Sequence, residues 1–442
     1  MMLKVDQHIY GKTKGRDFST LAVSAAMTKE DLKVLEKYSL YQLPHSLLYD
    51  EKTIKPKKYI YYKLNNESVV LGRGIDVGRD EFGRVGNFLF HNFIFKIKEF
   101  EILGLTPIEL IWYFEEKNIF QDKYYEGKIL TLDLKIDVCP QKEMLLPDIL
   151  EKKKDLTDLL FYACFNREEI KDPIYVNGDE KKIFDFLNKL FHFLPKRVWW
   201  SISYNTFWYK EPLLPGTFFC CTDFKSCEIR PPSYSLKIDL EKQEYESKIY
   251  IKNEIKDEHA KYVSQKALTD KQSLSCFYSQ EELVMSRDWE KFIASYKDSP
   301  QDNKEIVYKY HKEDFLKEVS QGNNTLLSAI LKDINRDDRN RIYKSNTLIQ
   351  RIIEYRDEIL ANDFVEWFYD FHADDKRELY TIFLNNLWLF ELLIAKITEK
   401  NVKVSKNIEI IQTLIENIPD HEGRNDVIEV RLLEVLCESF EN

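Results

Sequence analysis

Several signals are missing from the 442 residues, and each absence removes a class of function. No window approaches the ~18 apolar residues of a membrane-spanning helix. The opening residues, MMLKVDQHIYGKTKG, contain no apolar signal region, so the expected location is the cytoplasm. Cysteine is sparse and irregular: Cys139, Cys164, Cys220, Cys221, Cys227, Cys276 and Cys437 form no CxxC pair, and no histidine stands at zinc-finger spacing. Reduced, mostly buried thiols are the expectation. There is no GK[ST] phosphate loop, no GxSxG nucleophile turn and no EF-hand loop. No cofactor and no metal are expected.

What is present describes a folded globular protein. Aromatic residues make up 14% of the chain, charged residues 32% and hydrophobic residues 44%, a balance that can bury an aromatic-rich core. The length suits roughly two to four domains. Formal net charge is -10, and it is unevenly spread. Residues 1–230 hold 35 basic and 34 acidic side chains, whereas the rest hold 30 and 41. An acidic C-terminal half disfavours a nucleic-acid backbone as its partner and suits a protein partner or simple solubility.

The pattern along the chain predicts an α+β N-terminal domain over 1–230, a connector over 231–280 and an all-α C-terminal domain over 281–442. Residues 3–11 alternate as a strand. Thr28 is placed to cap a helix that carries Leu32, Leu35 and Tyr38. Residues 57–64 and 67–71 read as paired strands, and 87–98 as another. Thr106-Pro107 starts the next helix, with Pro107 at its first position. Strands are predicted at 130–138, 174–176 and 197–206, with helices at 145–164 and 179–193. From Glu281 onward helical periodicity dominates, with a strongly apolar helix over 374–398. A helical bundle or a helix-pair array fits this half.

One stretch concentrates unusual chemistry. Gly72, Gly74, Gly78, Gly83 and Gly86 fall within fifteen residues of a chain with only 13 glycines. Arg73, Arg79, Arg84, Asp76 and Asp80 are interleaved with them. Glycine permits positive φ and close approach, and arginine offers planar bidentate donors. The stretch reads as a polar, tightly turned loop feeding a buried strand that contains Asn87 and His91. Two accounts are open for it. It is a structured hairpin whose arginines pair with Asp76, Asp80 and Glu81, or it is a cradle for a phosphate or carboxylate. His91 likewise reads either as a satisfied core residue or as an acid/base oriented by Asp76 or Asp6. Trp199, Trp200 and Trp208 suit core packing, with an aromatic binding platform as the alternative.

Taken together, QHIYG at 7–11, LAVSAAMTKEDLKVLEKYS at 21–39, GIDVGRDEFGRVGNFLFHNFIF at 74–95 and LPKRVWWSISYNTFW at 194–208 resemble the N-terminal domain of the bacterial GTPase-associated proteins. The matching positions are Gln7, Tyr10, Asp80, Gly83, Arg84, Gly86, Asn87, His91, Leu194, Pro195, Arg197, Ser201 or Ser203, and Thr206. LAVSAAMTKED departs from the small-residue turn expected there. The resemblance implies an adaptor or regulatory component of a GTPase-linked bacterial anti-phage defence system, with protein partners that include a GTPase encoded nearby. It brings no catalytic residue set. Gln7, Tyr10, Arg73, Asp76, Arg79, Asp80, Arg84, Asn87, His91, Arg197 and Thr206 are therefore candidates for a ligand or partner surface. The alternative is an enzyme or sensor, hydrolase or nucleotidyl-type, that takes a phosphorylated ligand on the Gly/Arg stretch with His91.

Overall fold

A computed structural model describes residues 2–13, 15, 17–24, 27–123, 127–129, 131–135, 145–166, 172–214, 217–222, 231–232, 235–247, 258–321, 323–330, 343, 346–370, 377–398, 404–418, 428 and 430–435. The chain divides into two compact units, Met1–Leu274 and Ser275–Asn442.

The first unit is built on one mixed sheet. Its strands are β1 Met2–Gly11, β2 Ser19–Val23, β3 Lys58–Lys63, β4 Ser68–Gly78, β5 Asn87–Lys96, β6 Gly127–Lys128, β7 Leu132–Lys135, β8 Ile174–Asn177, β9 Ser203–Asn205, β10 Thr217–Thr222, β11 Lys237–Asp239 and β12 Glu244–Glu246. The order across the sheet is β12-β11-β8-β10-β9-β3-β4-β5-β1-β2-β6, and β7 pairs with the first residues of β1. The β3-β4-β5-β1-β2 segment is antiparallel. The β9-β10-β8-β11 wing is parallel. β4 and β5 are buried through most of their length, as expected of strands covered on both faces.

Helices of this unit are α1 Lys29–Tyr38, α2 His45–Leu48, α3 Ile97–Leu103, α4 Pro107–Glu116, α5 Asp148–Lys152, α6 Lys154–Phe165, α7 Glu180–His192, α8 Lys196–Trp199 and α9 Glu258–Thr269. Three starts follow from local sequence. The Thr28 hydroxyl accepts from the Asp31 amide at 3.1 Å. Thr106 and Glu109 close a reciprocal capping box, with Pro107 at the first position. Asp179 accepts from the Lys182 amide at 2.8 Å. The Thr106 hydroxyl also donates to Asn188 Oδ1 at 2.7 Å, which ties the start of α4 to α7.

The two sheet faces bury different sets. One face packs Tyr10, Ile60, Tyr62, Val70, Phe88, Phe90 and Ile94 against Leu35, Tyr41, Leu43 and Phe207. The other is mostly aromatic. Phe93 lies 4.6 Å from Phe114 of α4 and 5.3 Å from Phe120, ring to ring, and Tyr59 lies 5.1 Å from Phe184 of α7.

Three sequence expectations are corrected here. The stretch beginning at Gly72 is not all loop: β4 runs through it to Gly78, because Gly72 and Gly74 lie beneath side chains of the neighbouring strand. An ideal Cβ on Gly72 would stand 2.2 Å from Asn92 Oδ1, and one on Gly74 2.5 Å from the Phe90 ring. Residues 197–206 are not one strand. They form the short α8 and then β9, and the Trp199 indole donates to the Phe191 and Leu194 carbonyls at 3.0 Å each. The bulky indole is thereby fixed in the core rather than on a surface platform. The 145–164 helix is two, α5 and α6. Within 231–280, β11 and β12 extend the sheet and α9 follows. Parts of the predicted elements at 130–138 and 374–398 lie outside the described residues.

The second unit is all helix where described: α10 Lys271–Ser286, which begins just before the boundary, α11 Trp289–Lys297, α12 Gln301–Ser320, α13 Asn324–Ile330, α14 Asn346–Tyr355, α15 Glu358–Asp370, α16 Arg377–Asn385, α17 Leu387–Thr398 and α18 Val404–Glu416. The apolar stretch over 374–398 is not one helix, since α16 and α17 meet at 111°. No single described helix is long and apolar enough to cross a membrane.

Candidate functional site

The candidate residues separate into a buried clamp and an exposed tip. The clamp begins with strand register. Arg73 of β4 stands opposite His91 of β5, and His91 opposite Ile9 of β1, so Arg73, His91 and Gln7 share one face. Arg73 is 3% exposed. Its Nη1 donates to Glu115 Oε1 at 3.0 Å, and its Nη2 donates to the Gln121 carbonyl at 3.0 Å and to Asp122 Oδ1 at 2.5 Å. The guanidinium lies 4.6 Å from the centre of the Phe120 ring, a cation–π contact in a desolvated setting. One side chain thus fastens β4 to the end of α4 and to residues 120–122.

His91, 1% exposed, completes the clamp. The Gln121 amide donates to its Nδ1 at 3.1 Å. A backbone amide can only donate, so Nδ1 is unprotonated and Nε2 carries the hydrogen. Nε2 then donates to Gln7 Oε1 at 3.1 Å. Both ring nitrogens are engaged, and the ring is neutral. Burial, with the nearby Arg73 and His8 adding, pushes its pKa down to about 3. The partners expected to orient it, Asp76 and Asp6, are replaced by Gln7 and Gln121.

The opposite face carries a matching line of polar groups. His8 of β1 faces Asn92 of β5. Thr20 Oγ1 donates to Glu36 of α1 at 2.6 Å, so it accepts from His8 Nε2 at 2.9 Å. His8 Nδ1 accepts from Asn92 Nδ2 at 3.0 Å, and the same Nδ2 donates to Ser39 Oγ at 2.7 Å. Burial pushes the His8 pKa down to about 3 as well. Asn92 Oδ1 is buried without a hydrogen-bond partner among the described residues, over the space that Gly72 leaves open. Tyr10 is buried on this face against Phe18 and Phe88.

The tip is the turn between β4 and β5. Gly78, Gly83 and Gly86 have φ of 86°, 75° and 85°, values that favour glycine. Asp80 organises the turn. Its Oδ1 accepts from the Phe82 amide at 3.0 Å and the Arg84 amide at 2.9 Å. Its Oδ2 accepts from Lys12 Nζ at 2.9 Å and Arg84 Nε at 2.7 Å. Desolvation alone would raise this carboxyl, but the four donors outweigh it and hold the group far below the usual carboxylate range. Arg79 donates to Glu51 and to the Gly83 carbonyl. What remains outermost is Phe82, 69% exposed, with the Arg84 guanidinium 4.9 Å from its ring centre.

The other candidates lie elsewhere. Asp76 is half-buried on β4. Asn87 is buried at the start of β5. Thr206 continues β9 alongside β3, accepting at Oγ1 from the Tyr59 amide and donating its own amide to the Tyr59 carbonyl, both at 2.9 Å. Arg197 lies 6.0 Å from the Phe165 ring centre. Glu115, Phe120, Gln121 and Asp122 were not singled out from the sequence, because nothing local marks them as partners of a strand residue more than 40 positions earlier. Among the described residues no three His, Cys, Asp or Glu side chains gather as a metal site.

Residues 4–130 match the family model described as GTPase-associated protein 1, N-terminal domain type 2. The match takes in QHIYG, residues 21–39 and the whole block from Asp80 to His91, three of the four segments that carry the resemblance. Leu194 to Trp208 lie beyond it. No curated protein matches the chain. Within the matched residues, the Asp80–Gly83–Arg84 part of the block shapes the turn and the His91 part locks the sheet to its cover.

Proposed function

We propose that this protein is an adaptor or regulatory component of a GTPase-linked bacterial anti-phage defence system. It binds a GTPase-related protein partner through the tip of the β4–β5 hairpin. The observation that carries this reading is the division of labour within the family block: its buried members are consumed by packing, whereas Phe82 and Arg84 are held out on a rigid turn. Aromatic residues, phenylalanine among them, and arginine are enriched at protein interfaces relative to the rest of the surface. The acidic second unit supplies a separate surface for a further protein. The phosphorylated-ligand alternative draws no support from His91, whose two nitrogens face Gln7 and Gln121.

The test is co-purification of the tagged protein with the GTPase encoded beside it, with and without GTP. A stoichiometric complex is expected, lost with Phe82→Ser and weakened with Arg84→Ala, both variants retaining the wild-type melting temperature. Complex formation indifferent to Phe82→Ser would refute the tip as the docking surface. Absence of a complex under both nucleotide conditions would refute the adaptor reading.

A further inference from the structure

A second surface lies between α4 and α7, away from the tip and independent of the reading given to it. An open groove of about 580 Å³ is floored by Tyr59, Ile111 and Phe184 and walled by Trp112, with Lys57, Glu115, Glu180, Lys181 and Asp185 as its charged lining. That volume falls within the range of pockets that hold a small ligand or a few side chains. Trp112 is 40% exposed, and its indole lies 6.3 Å from the Phe184 ring.

The charges in the groove are unequally satisfied. Glu115 is bracketed: Lys57 Nζ lies 2.5 Å from Oε2 and Arg73 Nη1 3.0 Å from Oε1. Asp185 is paired with Lys189 at 2.8 Å. The Glu180 carboxylate makes no hydrogen bond or ion pair with any described residue. Desolvation, with repulsion from Glu115 and Asp179 adding to it, outweighs the attraction of Lys57, so that its carboxyl is held above the ordinary value. A carboxylate short of a counterion, beside an exposed indole face and over an apolar floor, complements a planar cation on an aliphatic stem. Guanidinium stacks on aromatic rings and bonds carboxylates bidentately.

We infer that the α4–α7 groove is a docking site for an arginine side chain of a protein partner, with Glu180 receiving the guanidinium and Trp112 covering it. Lys57 does not compete for the position, because Glu115 already holds its ammonium.

The probe is the capped tripeptide acetyl-Gly-Arg-Gly-amide, titrated into the full chain and followed through the Trp112 indole resonance, assigned by its loss in Trp112→Phe. The control is the same peptide with citrulline, which keeps the shape and removes the charge. Saturable binding on the order of millimolar is expected. It should weaken at least about tenfold with citrulline or with Glu180→Gln, at unchanged melting temperature. Phe82→Ser should leave it intact, so that failure of the tip reading and failure of this one are told apart. Equal binding of the two peptides, equal binding by Glu180→Gln, or no saturation by about ten millimolar would each overturn the assignment.

Discussion

The two halves of residues 71–87 use the same two residue types, glycine and arginine, for opposite ends. In the buried half, glycine is selected for lack of volume, because Phe90 and Asn92 occupy the space over Gly72 and Gly74. In the exposed half it is selected for backbone freedom, since Gly78, Gly83 and Gly86 turn with positive φ and Gly78 and Gly83 have nothing within 4 Å of an added Cβ. Arginine shows the same contrast. Arg73 is an internal bolt with three acceptors, whereas Arg79 and Arg84 are half-exposed or more. Composition alone therefore says little about a Gly/Arg stretch. The residues that face it across the sheet decide whether it is core or surface.

The largest effect expected from this contrast is on pH stability. His8 and His91 are neutral in the fold with pKa pushed down to about 3, against an unfolded value of 6.5. Their contribution is fully present above pH 6.5 and is lost as pH falls from 6.5 toward 3, because the unfolded chain binds protons that the fold refuses. The slope reaches up to about 3 kcal/mol per pH unit for two such groups. Urea denaturation across pH 7 to 4 should show it, and His91→Gln should reduce it by about half. A flat profile would mean that these rings are solvated.

Removing the buried arginine comes next. Arg73→Ala should cost about 4 kcal/mol, because Glu115 stays half-buried with one partner gone, while Arg79→Ala should cost less than about 0.5 kcal/mol. Thermal or chemical denaturation of the pair measures both. Among the glycines, Gly72→Ala should cost about 3 kcal/mol through overpacking, and Gly83→Ala about 1 kcal/mol through backbone strain. Equal penalties would erase the distinction between the two halves. The last test is Asp80→Asn, which should lower the melting temperature, because a carboxylate held far below its ordinary range by four donors stabilises the fold, and should speed hydrogen exchange at the Phe82 and Arg84 amides, whose acceptor it weakens.

Much of the scaffold was legible. The α+β-then-helical order, the cap at Thr28, the helix start at Thr106-Pro107, and the strands at β1, β3 and β8 follow from local pattern and turn chemistry. β4 was cut short at Leu71 because glycine in a sequence signals a turn. Its other use, making room for a neighbour's ring, depends on a strand register that only the fold supplies. The 197–206 stretch failed for a related reason. Its tryptophans suit a strand, but Pro195 opens a helical turn and Trp199 caps carbonyls of the preceding helix. In the candidate site, His91 and the turn residues were visible as a motif. Glu115 and Gln121, which give Arg73 and His91 their roles, were not, because they come from a helix end and the loop after it.

The place of β3 in the sheet also sets the order in which the molecule can be made. Its one neighbour, β4, follows at once, but its other neighbour pairs Ile60 with Asn205. As the chain leaves the ribosome, the antiparallel block from β1 to β5 can assemble from the first 96 residues. The open edge of β3, KYIYYK, then waits for more than a hundred further residues before β9 arrives. An unpaired edge rich in tyrosine and isoleucine is an aggregation hazard. Chains cut between 97 and 202 should therefore collect as insoluble material, and the nascent protein should need a chaperone over that interval of synthesis.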